Sequence, residues 1–101
     1  MHKLLQVDFV FSGPFGEEMT KALKGLAHSI TEEPGFIWKI WTEKESLKEA
    51  GGIYLFESEE TADAYLKKHT ARLKDLGVTD VRGRIFDINM ALSKVTKAPI
   101  A

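Results

Sequence analysis

A strand-like run, a helical stripe, two more strand-like runs, a second stripe and a last strand follow one another and use nearly all of the 101 residues. That order constrains the fold more than any single motif. Leu4-Leu5-Gln6-Val7-Asp8-Phe9-Val10-Phe11 mixes β-branched and aromatic side chains, with Leu5, Val7, Phe9 and Phe11 on one face. Ser12-Gly13-Pro14 stops this run, and Pro14 suits a first helical position because an N–H there would have no intrahelical acceptor. Phe15, Met19, Ala22, Leu23, Leu26 and Ile30 then recur at helical spacing, with Glu17 and Glu18 near the positive end of the helix dipole. Pro34-Gly35 ends the helix.

Phe36-Ile37-Trp38-Lys39-Ile40-Trp41-Thr42-Glu43 reads as the second strand. Strict alternation puts Phe36, Trp38 and Ile40 on one face and Ile37, Lys39 and Trp41 on the other, so both faces are largely apolar. The charged connector Lys44 to Glu49 leads to a third strand, Ala50 to Phe56, and the short link makes the pair an antiparallel hairpin. Gly51-Gly52 marks a bulge or a close approach of another backbone. Ser58 is a good N-cap, Glu59 and Glu60 suit the first turn, and Gly77 suits the position just past the helix end. Between them the apolar stripe is Ala62, Tyr65, Leu66, His69, Leu73 and Leu76. A fourth strand runs from about Thr79 to Asn89, and Met90 to Ala101 has no strong period and reads as an arm.

The order βαββαβ, without a linker or a composition break, gives one α+β domain over residues 1–101. Right-handed crossovers favour a ferredoxin-like antiparallel sheet with both helices on one face. The other face is then bare and partly apolar, and a second copy of the chain covers it economically in a two-fold, sheet-to-sheet homodimer. Trp41, opposite Trp38, is expected at that interface, and Leu92 and Val95 of the arm are expected to touch the partner.

Composition removes several function classes. With 14 basic against 15 acidic side chains and a pI near 6.3, the chain lacks the basic face of a nucleic-acid binder. It has no Cys, which excludes thiol nucleophiles, disulfides and cysteine-ligated metals. Its three His, at positions 2, 28 and 69, show neither HxH nor HExxH spacing, so no metal is expected. No GxGxxG, GxxxxGK[ST] or GxSxG pattern occurs, and no cofactor is expected. The longest purely apolar run, Ile53 to Phe56, is far too short to span a membrane, and the expected location is the cytoplasm.

The candidate chemistry gathers on the second helix. His69 is the one ionisable group on its apolar stripe, so it faces the sheet and suits proton transfer; the bland alternative is a core imidazole bonded to backbone. Arg72 lies beside it, three residues on, and suits an anionic or phenolate oxygen, unless it is simply a solvated helix-face arginine. Trp38 and Tyr54, on the hairpin strands, offer an aromatic wall with a polar handle for a planar ligand, and Tyr65 on the stripe joins them; core packing alone explains all three equally simply.

Four segments together resemble one family. They are Phe11-Ser12-Gly13-Pro14-Phe15-Gly16, Glu33-Pro34-Gly35-Phe36-Ile37-Trp38-Lys39-Ile40-Trp41-Thr42-Glu43, Glu49-Ala50-Gly51-Gly52-Ile53-Tyr54-Leu55-Phe56, and Lys68-His69-Thr70-Ala71-Arg72-Leu73, and they resemble the YdhR-type mono-oxygenases. That resemblance implies a dimeric α/β barrel of ferredoxin-like subunits, whose relatives include cofactor-independent quinone-forming mono-oxygenases and haem-degrading enzymes. It implies a mono-oxygenase acting on a small phenolic or quinol-type aromatic without a cofactor; for that chemistry the residues themselves point to His69 and Arg72 as the expected catalytic pair and to Trp38, Tyr54 and Tyr65 as the expected substrate contacts. Two other readings of the same pocket stay open, a non-catalytic dimer that binds a small hydrophobic compound and a haem-binding relative.

Overall fold

The structure, a computed structural model, describes residues 1–100. Its elements are β1 (Lys3–Val10), α1 (Gly16–Ile30), β2 (Phe36–Lys44), a single 3₁₀ turn (Glu45–Leu47), β3 (Glu49–Phe56), α2 (Glu59–Asp75), β4 (Arg82–Asp87) and α3 (Met90–Val95). The strands form one antiparallel sheet in the order β2-β3-β1-β4, which is the ferredoxin-like arrangement. Strand pairing sets the faces. Leu5, Val7 and Phe9 of β1 stand opposite Tyr54, Gly52 and Ala50 of β3, and this side carries the core together with Met19 and Ile30 of α1 and Ala62, Tyr65 and Leu73 of α2. Each fully buried side chain of this size contributes about 1.5–3 kcal/mol through lost apolar contact with water.

The helices are fastened differently. Ser58 caps α2 by accepting from the Thr61 N–H, and Gly77 takes a left-handed φ of 89° just past the other end, where a Cβ would be strained. The first helix begins two residues later than Pro14, and Phe15 before it has no capping side chain. Its Gly16 N–H donates instead to the Glu43 carboxylate on β2, at 2.8 Å, so a strand side chain meets the helix's orphan donor. Only Met19 and Ile30 of α1 are fully buried, against four side chains of α2. Of the two, α1 is thus the looser cover of the sheet.

Two expectations about faces and ends are corrected. The alternation along β2 is broken by a bulge: Phe36 pairs with Phe56 and Trp38 with Leu55, leaving Ile37 extra. Phe36 therefore joins the core, whereas Trp38, Ile40 and Thr42 lie on the helix-free face and Lys39, Trp41 and Glu43 on the helix side. The C-terminal segment is also more ordered than an arm. Asn89 caps a one-and-a-half-turn helix through Leu92 N–H, and the chain then returns to the helix-free face, where the Trp38 indole donates to the Pro99 carbonyl at 2.8 Å and Ile100 is buried. Leu92 and Val95 remain exposed on α3.

Candidate active site

Because α1 sits loosely, a small cavity of about 60 Å³ remains between it, the C-terminal half of α2 and the sheet. Phe9, Met19, Leu23, Trp41, Leu73 and Val78 make it mainly apolar. A second hollow of about 300 Å³, between α1 and β2, shares Met19, Leu23 and Trp41 with it, so Trp41 stands where the two meet. The enclosed part holds a few waters at most; the two hollows together offer the space of a small ligand site. Two ionisable side chains line the enclosed part, His69 from α2 and Lys39 from β2.

His69 is buried, with 3% of its surface exposed, and stacks on Tyr65 with ring centres 5.1 Å apart and planes at 18°. Its Nδ1 lies 2.9 Å from an Arg72 Nη. A guanidinium only donates, so Nδ1 is the acceptor and the imidazole proton sits on Nε2. Burial, reinforced by the nearby charges of Lys39 and Arg72, lowers the His69 pKa to about 3. At neutral pH this histidine is a neutral hydrogen-bond donor through Nε2.

Lys39 was not singled out by sequence. Its Nζ lies 3.3 Å from the centre of the Trp41 ring and 4.7 Å from that of Tyr54, and it has no ion pair among the described residues. Burial and then the charge of Arg72 lower its pKa to about 7, so amine and ammonium coexist at physiological pH. The sequence signal was present: one charge in the middle of an apolar strand, two residues before a tryptophan. Its long stem crosses β3 where Gly52 has no side chain; a Cβ on Gly52 would come within 2.5 Å of the Lys39 Cε.

Tyr54 and Tyr65 stand behind the cavity and not in its lining. Both are buried, their hydroxyls 3.1 Å apart and rings 5.0 Å apart. Desolvation raises both phenol pKa values, so they stay protonated and act as a fixed hydrogen-bonding pair. Arg72 is partly buried, and its Nε is buried without a partner. A chain of contacts thus runs from Lys39 over Tyr54 to Tyr65, His69 and Arg72. Trp38 is not part of it; the bulge puts it on the far side of the sheet, and Trp41 occupies the place expected of it. Trp41 is correspondingly absent from the face proposed for dimerisation. Among the described residues no group of His and carboxylates is arranged to hold a metal ion.

A family described as "Putative mono-oxygenase ydhR" matches residues 4–99. No curated protein matches the sequence. Among solved structures, the chain is similar to SnoaB, a cofactor-independent oxygenase from Streptomyces nogalater, with a TM-score of 0.62 and 13% identity over 87% of this chain and 93% of that one. It is also similar to a protein from Deinococcus radiodurans described as a "putative antibiotic biosynthesis monooxygenase", with a TM-score of 0.62 and 15% identity over 86% and 92% of the two chains. A structural-genomics protein, YJCS, gives 0.61 and 23% identity over 87% and 98%. At such identities these likenesses establish the ferredoxin-like α+β fold.

Proposed function

Since the chain belongs to the ydhR mono-oxygenase family, we propose that it is a cofactor-independent mono-oxygenase whose substrate is a small phenolic or quinol-type aromatic. The observation that carries this reading is the pairing of a neutral, proton-bearing His69 Nε2 with Lys39 in an otherwise apolar cavity edged by Trp41. An electron-rich aromatic that loses a proton can pass electrons to O₂ without a metal or flavin. The overall change for a ring CH₂ is CH₂ + O₂ → C=O + H₂O: one oxygen atom becomes the carbonyl, and the other leaves as water with the two hydrogens.

In this reading His69 donates from Nε2 to the substrate oxygen, where negative charge collects, and a dry lining strengthens that bond. Arg72 acts as a positioning residue, because its bond to Nδ1 fixes the tautomer that makes Nε2 the donor. Tyr65 keeps the imidazole plane through stacking, Tyr54 supports Tyr65, and Trp41 supplies the flat wall beside the opening.

The homodimer belongs to the same proposal. On the helix-free face Val10, Ile40 and Phe86 are 65%, 54% and 37% exposed, and the chain's returning tail covers only the Trp38 end. A second copy laid sheet to sheet removes this apolar surface from water.

The test is oxygen uptake by purified protein in chelator-treated buffer with an anthrone or a hydroquinone. Turnover that His69→Ala lowers by about a hundredfold or more supports the enzyme, in line with the loss of one oxyanion donor. Tight binding of either compound with no oxygen consumed makes the protein a binding module instead.

A further inference from the structure

Resting on the reading of the cavity as an aromatic-hydroxyl site, we infer that Lys39 is the group that accepts the substrate's proton, so that the ligand is held as an oxyanion against the Lys39 ammonium. His69, the obvious base by residue type, is poorly placed for the task. Its Nδ1 is occupied by Arg72, and its Nε2 already bears the proton.

Lys39 differs from the lysines that the fold holds in ion pairs. Lys3, Lys67 and Lys68 are bound to Asp87, Asp63 and Glu33, respectively. The groups that face Lys39 are His69 and Arg72 from α2 and Tyr54 from β3, with Trp41 and Glu43 further along its own strand. None of these supplies it with a bound carboxylate. Glu43 is engaged with the Gly16 N–H, Tyr54 with Tyr65, and the two cationic or neutral groups on α2 offer it no negative charge.

The surroundings therefore treat the two forms of Lys39 asymmetrically. Without a ligand, burial and Arg72 disfavour the ammonium, and a sizeable share of molecules carry a free amine lone pair near pH 7. Once an oxyanion lies in the cavity, the ammonium gains an ion pair in low-dielectric surroundings and keeps the faces of Trp41 and Tyr54 beneath it. The step balances without a redox partner. The ligand O–H bond breaks and leaves its electron pair on oxygen, while the Lys39 lone pair forms the new N–H bond.

The chemical class follows. The ligand is planar and mainly apolar, to enter between α1 and β2 past Trp41, and carries a weakly acidic phenolic or enolic hydroxyl. A phenolic or enolic hydroxyl brings the proton that the amine takes, whereas a permanent carboxylate pairs only with Lys39 already protonated from solvent.

The probe is 2-naphthol, whose naphtholate absorbs at longer wavelength than protein, added anaerobically at about pH 8, above the value to which Lys39 is lowered. Wild-type protein is expected to raise the ionised fraction of bound naphthol at least tenfold over that in buffer. Calorimetry in buffers of different ionisation heat should show no proton passing to solvent, since Lys39 keeps it. Lys39→Met should bind naphthol without the naphtholate band, and Lys39→Arg, which is charged but cannot accept a proton, should release one proton to solvent per naphtholate bound.

Naphthol that fails to bind, binds without ionising, or ionises with release of its proton in wild type overturns the assignment, and these readouts need no variant to fold. The same band in Lys39→Met also overturns it. Failure of the mono-oxygenase reading is distinguishable: ionisation with no oxygen uptake from any aromatic keeps Lys39 as the acceptor and defeats only the oxygenase. Undiminished oxygen uptake in Lys39→Met defeats only the assignment to Lys39.

Discussion

The guanidinium of Arg72 donates to Nδ1 of His69 across 2.9 Å, three residues apart on α2. One bond fixes two properties of the imidazole. It places the ring proton on Nε2, and it keeps a positive charge beside a ring already disfavoured from charging by burial. The site is therefore built to donate a hydrogen bond from histidine, and proton exchange is left to Lys39 on the opposite wall.

Stability should record this arrangement between pH 6.5 and 3. In the unfolded chain His69 titrates near 6.5, whereas in the folded chain it stays neutral down to about 3. Below 6.5 the unfolded state binds the extra proton, so stability present above 6.5 is lost as pH falls toward 3, by a few kcal/mol in total. His69→Gln should flatten that part of the profile relative to wild type in urea melts at pH 7 and 4.5. Arg72→Met should raise the His69 pKa, read from the imidazole carbon-bound proton in NMR. Parallel pH profiles for wild type and His69→Gln would contradict the buried neutral ring.

Gly52→Ala is expected to alter the site at a moderate cost to the fold, since the added Cβ would lie 3.2 Å from Cε1 of the buried Tyr54 and 3.3 Å from the Ile40 carbonyl oxygen. The added Cβ would meet the Lys39 Cε at 2.5 Å, the far part of a flexible side chain, which can move. Lys39 should then leave the Tyr54 ring and become better solvated, so its pKa rises from about 7 toward the ordinary lysine value. Oxygen uptake should shift its alkaline dependence in the same direction. Gly51→Ala makes the contrast, since its Cβ would lie 2.0 Å from the Val7 carbonyl oxygen and strike β1 backbone. We expect at least about 3 kcal/mol of destabilisation there, measured by denaturant unfolding.

Most of the fold could be read from periodicity, because the helical stripes and strand alternation arise from the same burial that builds the core. Ser58 and Gly77 mark the ends of α2 through local backbone chemistry alone. What sequence could not show is the bulge at Ile37. Strand side chains alternate with a period of two, so one extra residue exchanges every following side chain between faces. That single event sends Trp38 to the helix-free side and brings Trp41 and Lys39 to the cavity. The Gly51-Gly52 signal concerned the neighbouring strand, where it reports close approach by Val7 and Lys39 and not a bulge. His69 was visible as a polar interruption of an apolar stripe; Lys39 was equally an interruption, but a strand lysine is ordinarily read as solvent-facing.

Trp38 fastens the C-terminus, which gives a separate prediction. Trp38→Phe keeps an aromatic ring but removes the donor to the Pro99 carbonyl, a loss of about 1 kcal/mol for one neutral hydrogen bond. Hydrogen exchange should accelerate at the Ile100 amide, which is bonded to Ala98, and leave the amides of β1 and α2 unchanged. Faster exchange throughout the sheet would mean that the tail supports the whole domain.

The helix-free face supports the last prediction, on assembly. Ile40 and Phe86 lie on that face, 54% and 37% exposed, on the outer strands β2 and β4. On the same face Arg82 of β4 pairs with Asp8 and Glu49, and Arg84 lies over the Phe86 ring with no ion pair among the described residues, so the apolar flanks are joined by a largely but not fully neutralised set of charges. A two-fold axis through such a face sets each apolar flank against the partner's surface, where each buried side chain contributes about 1.5–3 kcal/mol. Wild type should therefore sediment as a dimer at micromolar concentration. Ile40→Asp together with Phe86→Asp should raise the dissociation constant at least about a hundredfold, since each 1.4 kcal/mol is a factor of ten, while far-ultraviolet circular dichroism stays unchanged. Trp41→Asp, on the other side of the sheet, should leave the sedimentation of the dimer unaltered and disturb only ligand binding. A monomeric wild type would defeat the sheet-to-sheet arrangement, and a dimer insensitive to the paired Asp substitutions would move the interface to another face.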